Sequence, residues 1–265
     1  MCRRGLGDQR SDVQKLTAMK IVLSRKGFDT SRQGGGGPSP IVDGRPVSLP
    51  IPAIRDHSRT TYAQLGLGEL AEAASRGRIT GADFCHHDPM FLPDGRALLG
   101  QCGGAQTHLA RHGVGPGDLF VFFGLFREPG GRPHHRIFGY LRVAKLIHLA
   151  SAGPTEVREL AVPDFPHLLG MHAANDVIYS GAGRSAASAP DALRLTIPEG
   201  PPTRWRVPAW LHRTGLSWHP PGKRWSEPER LTSVSRGQEF VADIGGEPSA
   251  QLWADEIVAL IEERG

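Results

Sequence analysis

Four short clusters hold the residues able to do chemistry. The first is Cys85-His86-His87-Asp88-Pro89, with Gln101-Cys102 downstream. Cysteine, histidine and aspartate are all zinc ligands, but no CxxC or HxxxH pair is present. The spacing matches no standard structural site, so no residue is assigned as a metal ligand. His87 and Asp88 form a candidate catalytic pair, because a carboxylate fixes an imidazole's tautomer and readies it for proton transfer. A metal-dependent enzyme centred on Cys85, His87, Asp88 and Cys102 stays open as an alternative.

The second cluster runs from Gly100 to Leu109. Gly103 and Gly104 precede a short helix, whose first N–H groups can meet a phosphate or carboxylate. Gln101, Gln106 and His108 have the donors and acceptors to read a base edge or a sugar hydroxyl. The bland reading is a helix entry whose glycines satisfy backbone geometry. The third cluster places His167 near Asn175 and Tyr179, the mixed chemistry of a ligand-orienting loop, although a single histidine is more often structural. The fourth is Arg236-Gly237-Gln238-Glu239-Phe240-Val241-Ala242-Asp243. Arg236 can clamp a phosphate or carboxylate. Gln238 suits a base, and Glu239 and Asp243 suit acid/base or ligand-binding work. Buried polar groups must be paired, so this cluster is solvated, internally bridged from Arg236 to Glu239, or arranged to hold something. No Gly-x-Ser-x-Gly elbow supports a hydrolase triad.

The elements that position these clusters are mostly strands. Gly117 to Phe126 and Arg136 to Val143 are aromatic and β-branched, with a Pro/Gly/His loop between them. Met19 to Arg25 and Glu239 to Asp243 read as strands, and so does Leu193 to Ile197. Asp43-Gly44 is a hairpin turn. The Gly34 to Gly37 run lacks the Gly-Lys-Ser/Thr ending of a phosphate loop, so it reads as a turn. Helices are expected at Tyr62–Ala74, Ala105–Arg111 and Gln251–Glu263, the last with Leu252, Ile257, Leu260 and Ile261 as its apolar face. The Trp-studded, Pro-rich stretch from Trp205 to Trp225 reads as a wrap with little regular structure.

Bulk composition sets wider bounds. The 265 residues include 34 glycines and 22 prolines, which favours turns and short strands over long helices. No apolar run approaches the roughly 20 residues of a membrane helix, so no membrane partner is expected. The first residues lack a secretory stretch, and three cysteines build no disulfide framework, so a reducing cytoplasm is the expected compartment. A net charge of +4 is compatible with a nucleic-acid partner without requiring one. Residues 1–18 read as a disordered extension, and 19–265 as a single domain.

Taken in order, several segments resemble a known family. They are Ile21-Val22-Leu23-Ser24-Arg25-Lys26-Gly27-Phe28-Asp29, Pro38-Ser39-Pro40-Ile41, Ser48-Leu49-Pro50-Ile51-Pro52, His87-Asp88-Pro89, Gly104 to Leu109, Gly117 to Gly124, Ile137 to Tyr140 and Arg236 to Val241. This series is similar to the nucleotide modification associated domain 3 family of bacteria and phages, whose members are held to act in making, modifying or handling modified nucleotides. Within it, Gly117-Asp118-Leu119 and Ile137 to Val143 resemble the centre of PUA-like domains of the EVE and ASCH groups, small barrels that bind RNA or modified bases.

The expected fold is α+β: a curved or barrel-like, mostly antiparallel β core with a few short helices, long Pro/Gly-rich loops and a C-terminal helix. The expected function is in a DNA- or nucleotide-modification system, with a nucleotide or modified base, free or in nucleic acid, as partner. Other proteins of such a system are possible partners, and no cofactor is specified. Gln101, Gln106 and His108 would form one wall of a polar pocket, and Arg236, Gln238 and Glu239 another. A non-catalytic PUA-like reader is the alternative, so the residues leave open whether the chain is an enzyme.

Overall fold

The computed structural model describes residues 19–30, 37–170, 172–234 and 239–263. The segment 1–18, most of the Gly34 to Gly37 run, Arg236 and Gln238 lie outside the described residues. Strand β1 (Met19–Arg25) is followed by a hairpin of β2 (Ser39–Val42) and β3 (Arg45–Pro46). Asp43 and Gly44 join the hairpin with φ of 50° and 74°, the positive pair that a two-residue turn needs. Strand β4 (Ile51–Pro52), helix α1 (Gly68–Ser75) and strand β5 (Cys85–His86) come next, β4 pairing with β5. Then follow β6 (Met90–Phe91), β7 (Arg96–Gln101), α2 (Gly103–Arg111), β8 (Leu119–Arg127) and β9 (His134–His148). After α3 (Pro154–Arg158) comes β10 (Val177–Ser185). The chain ends through β11 (Arg204–Arg206), α4 (Ala209–Thr214), β12 (Trp225–Glu227), β13 (Arg230–Thr232), β14 (Glu239–Gly245) and α5 (Pro248–Glu262).

The main sheet runs β14-β1-β8-β9-β10-β7-β6, with β2 joined to β8. Only β1 and β2 pair parallel to β8; the other pairs are antiparallel. Strands in a flat sheet lie about 4.8 Å apart, so β14 and β7, first and sixth in the order, would be over 20 Å distant. Yet Gln101 Nε2 at the end of β7 donates to Glu239 Oε1 at the start of β14 over 2.6 Å. The sheet is therefore curled into a half-barrel, and α2 lies against β14 across the gap. The fold is α+β with a curled, mostly antiparallel core.

Both faces of the sheet are covered, which explains the unbroken apolar run Leu119 to Phe123 in β8. Val22, Phe120, Phe122, Phe138, Tyr179 and Val241 fill the concave side. Ile21, Leu23, Val121 and Phe123 face the convex side, under α5 and the tryptophans Trp205 and Trp210. Helix α5 buries Ala250, Ala254, Ile257 and Ile261, positions on one helical stripe. Leu252 is not part of that stripe: it is 70% exposed.

Three further expectations are corrected. The Tyr62–Ala74 segment becomes helical only at Gly68, because Gly66 sits at φ 70°, where a right-handed helix cannot run. Leu193 to Ile197 is no strand; it makes single bridges through Arg194 and Thr196, and the Thr196 hydroxyl takes the His135 N–H at 2.8 Å. The Trp205 to Trp225 stretch is more regular than expected: β11, β13 and β12 form a small sheet, and α4 lies against β14 and α5 with its His212 ring edge-on to Trp225.

Candidate functional site

At the mouth of the half-barrel, three strand ends meet. Strand β1 runs out at Arg25 and Lys26, β7 at Gly100 and Gln101, and β14 begins at Glu239. On β1, Val22 and Ser24 face the concave side, because strand side chains alternate. The same alternation brings Gln101 inward two residues after Leu99. Glu239 lies directly opposite Ser24 in the antiparallel register.

The result is a buried polar knot. Glu239 Oε1 accepts from Ser24 Oγ at 3.1 Å, from Lys26 Nζ at 3.0 Å and from Gln101 Nε2 at 2.6 Å. Its other oxygen, Oε2, is buried with no hydrogen-bond partner among the described residues. Lys26 carries three donors, of which this pair uses one.

Above this knot opens a cavity of about 630 Å³, within the range of small-molecule sites. Ile51 to Ile54, on and after β4, give it an apolar wall. Arg25, Lys26, Gln101 and Cys102 line it from the strand ends, and Asp88, His57, His86, His167 and His172 add a titratable corner.

The corner is held from below. Asp88 Oδ1 accepts the Gly100 N–H at 3.0 Å, and its Oδ2 lies 3.8 Å from His86 Nε2 and 3.9 Å from His167 Nε2. His167 Nδ1 is bonded to Asp176 Oδ1 at 2.6 Å, and Asp176 Oδ2 accepts the His172 backbone N–H at 2.9 Å. Gly100 is required here: a Cβ at that position would sit 2.0 Å from the His167 ring. His172 Nδ1 lies 3.0 Å from His57 Nδ1.

Burial would raise the Asp88 carboxyl, but the His86 imidazole and the charges of His167 and Lys26 outweigh it and hold it below the usual carboxylate range. Burial, with His167 and His86 as neighbours, pulls His172 down to about 4. Burial and then the carboxylates Asp176 and Asp88 push the Cys102 thiol up, which disfavours the thiolate a nucleophile needs.

Of the residues singled out from sequence, the structure brings Asp88, Gln101, Cys102 and His167 to this cavity, with Glu239 beneath it. His87 faces elsewhere. It lines a neighbouring cavity of about 340 Å³ with Arg45, Ser48 and Phe91, and Asp88 borders both cavities. Burial is the main cause that lowers His87, against the opposing charge of Asp88. Gln106 and Tyr179 pair with each other inside the concave core, Tyr179 OH donating to Gln106 Oε1 at 3.0 Å. Asn175 ties down the start of α2, accepting from Gly103 N–H at 2.7 Å and donating to Gly103 O and Thr107 Oγ1. His108 lies against the α4–β12 connection, bonded to Ser217 Oγ and stacked on Trp218. Asp243 is exposed and accepts from the Gly245 N–H. Cys85 is buried beside α1, and burial pushes its thiol up to about 12.

Sequence reasoning missed Lys26, His57, His86, His172 and Asp176 as site residues. His86 closes strand β5 and meets the cavity, whereas His87 follows the strand and lines the neighbouring one. Asp176 was overshadowed by its neighbour Asn175.

Fold and cavity together define an α+β protein with a polar pocket at the open end of a half-barrel. The sequence profile described as Nucleotide modification associated domain 3 matches residues 20–243, and the chain belongs to that family. No curated protein and no solved structure matches it. Among the described residues no helix is long and apolar enough to cross a membrane.

Proposed function

We propose that this protein acts on a nucleotide, or on a base within nucleic acid, in the cavity at the half-barrel mouth. Family membership supplies the context of nucleotide modification. The observation that carries the reading is the convergence of Asp88, His86, His167 and Gln101 around one space of about 630 Å³. In this reading Gln101 reads a base edge through its amide, Arg25 and Lys26 meet phosphate, and the base lies along the apolar Ile51 to Ile54 wall. Asp88 is the proton-transferring group, held in place by the Gly100 N–H and flanked by two imidazoles. Glu239 fixes Lys26 and Gln101 and is a positioning residue.

A pocket that merely reads modified bases is expected to stack them on aromatic rings beside a basic face. The described lining has histidines but no Phe, Tyr or Trp, and it has converging acid/base groups, which favours chemistry over reading. The test is mass analysis of nucleosides from cells with the gene, without it, and with Asp88→Asn. The Asn side chain keeps the acceptor for Gly100 and removes the acid. A modified nucleoside present only with the wild-type gene is expected. Identical nucleoside profiles in all three strains would overturn the proposal.

A further inference from the structure

Three histidines that the sequence clusters did not single out as a set, His86, His167 and His172, come from three separate places: strand β5, the Pro166–Leu168 turn and the loop before β10. Their ligating atoms all lie within 4.8 Å of one another. Their ring centroids are 4.4 to 5.5 Å apart and the rings are tilted or edge-on rather than stacked, the disposition of imidazoles that converge on a point. We propose that His86, His167 and His172 bind a divalent first-row transition ion such as zinc, with Asp88 beside it.

Three features beyond proximity support a built site. The first is the support around His167. Its Nδ1 is engaged by Asp176 at 2.6 Å, which leaves Nε2 with the lone pair toward Asp88 and His86. That is the carboxylate–histidine–metal arrangement found around zinc, and it fixes both tautomer and ring orientation. The same Asp176 carboxylate holds the His172 backbone, so one acid positions two ligands.

The second is an orphan. His172 Nε2 is buried with no hydrogen-bond partner among the described residues, while Nδ1 faces His57 at 3.0 Å. With Nδ1 donating to His57, Nε2 carries the lone pair that a metal would take up. The third is spacing. Asp88 Oδ2 stands 3.8 and 3.9 Å from two imidazole nitrogens, too far for hydrogen bonds. Ligand atoms around a tetrahedral zinc lie about 3.4 Å apart, so the three imidazole nitrogens, within 4.8 Å of one another, would draw in by up to about 1.4 Å to seat an ion, with Asp88 left outside its ligands.

Three imidazoles leave a coordination position for water or substrate, the pattern of catalytic rather than structural zinc. A metal there would ease deprotonation of a bound water, with Asp88 placed to accept the proton. That role rests on the proposed nucleotide chemistry; the binding of the ion does not.

The experiment uses the purified full chain without any nucleotide, so its outcome is independent of substrate. Metal content is measured after desalting, and the chelated protein is then titrated with Co²⁺ while its visible d–d absorption is followed. About one equivalent of metal per chain and a saturable cobalt band are expected. His172→Ala should weaken cobalt binding at least 10-fold, and Asp176→Asn about 10-fold. His108→Ala, remote from the cluster, should change nothing. No bound metal and no cobalt band in the wild-type chain would overturn the proposal. So would equal binding by His172→Ala. A strong thiolate-to-cobalt charge-transfer band would place the ion on a cysteine and likewise overturn the assignment.

Discussion

Glu239 shows how much one residue can settle at the mouth of this fold. Its side chain is almost fully buried and accepts three hydrogen bonds from groups over 130 residues away in sequence, one of them the Lys26 ammonium. A buried ion pair adds little net stability, but losing one partner strands the other charge. Glu239→Gln is therefore expected to cost about 3 kcal/mol in urea unfolding. Lys26→Met combined with Glu239→Gln should cost at least 1 kcal/mol less than the two single changes summed, because no charge is then left unpaired. Additive losses would mean that the pair is not coupled.

His135 offers a second residue-scale test, away from the site. It is buried, takes the Trp205 indole N–H on Nδ1 at 3.0 Å, and burial pulls it down to about 3. The folded chain thus keeps it neutral where the unfolded chain, titrating near 6.5, takes up a proton. As pH falls from about 6.5 toward 3, the unfolded state gains protons and the fold loses stability, by up to about 1.4 kcal/mol per pH unit. His135→Asn cannot be protonated. The wild type's advantage over that variant should shrink by this slope between pH 6.5 and 4, measured by denaturant melts. A pH-independent difference would show that His135 does not stay neutral in the fold.

At the scale of elements, α2 and the β4–β5 pair are what place the cavity walls. Asn175 joins the loop before β10 to the start of α2 through three hydrogen bonds. Asn175→Ala is expected to cost about 2 kcal/mol of stability and to loosen the wall that carries Cys102. An unchanged denaturation midpoint would contradict this.

Elements defined by local signals were legible in the sequence. The β8 and β9 runs, the Asp43-Gly44 hairpin and the C-terminal helix needed only burial on two faces, turn chemistry or helical spacing. The helix before Ser75 was overextended because its apolar pattern continues back through Leu65, while Gly66 ends it at the backbone level. The small sheet β11-β13-β12 was not legible, since strands of three residues carry too few alternations to register.

For the whole molecule, the decisive event is the curl that brings β7 to β14. No local pattern specifies it. It depends on a full concave core and on the Gln101–Glu239 contact between residues 138 positions apart. This explains why Asp88, Gln101 and Glu239 could each be singled out as polar residues needing a purpose, while their companions Lys26, His86 and His172 could not be grouped with them. It also explains why Gln106, Tyr179 and His108, equally polar in sequence, are paired elsewhere: their partners come from neighbouring strands and from the Ser217–Trp218 segment.

The central claim is that the cavity at the half-barrel mouth takes a nucleotide. Ile54 lies on its apolar wall, is 56% exposed, and can be changed without disturbing the core. Leu252, exposed on the outer helix, is the matched control. Calorimetric titration of the wild-type chain with a panel of nucleoside monophosphates is expected to find one saturable site. Ile54→Asp should weaken it at least 10-fold by placing a charge on the apolar wall where the base lies, and Leu252→Asp should leave it unchanged. No binding to the wild type, or equal binding by both variants, would contradict the claim.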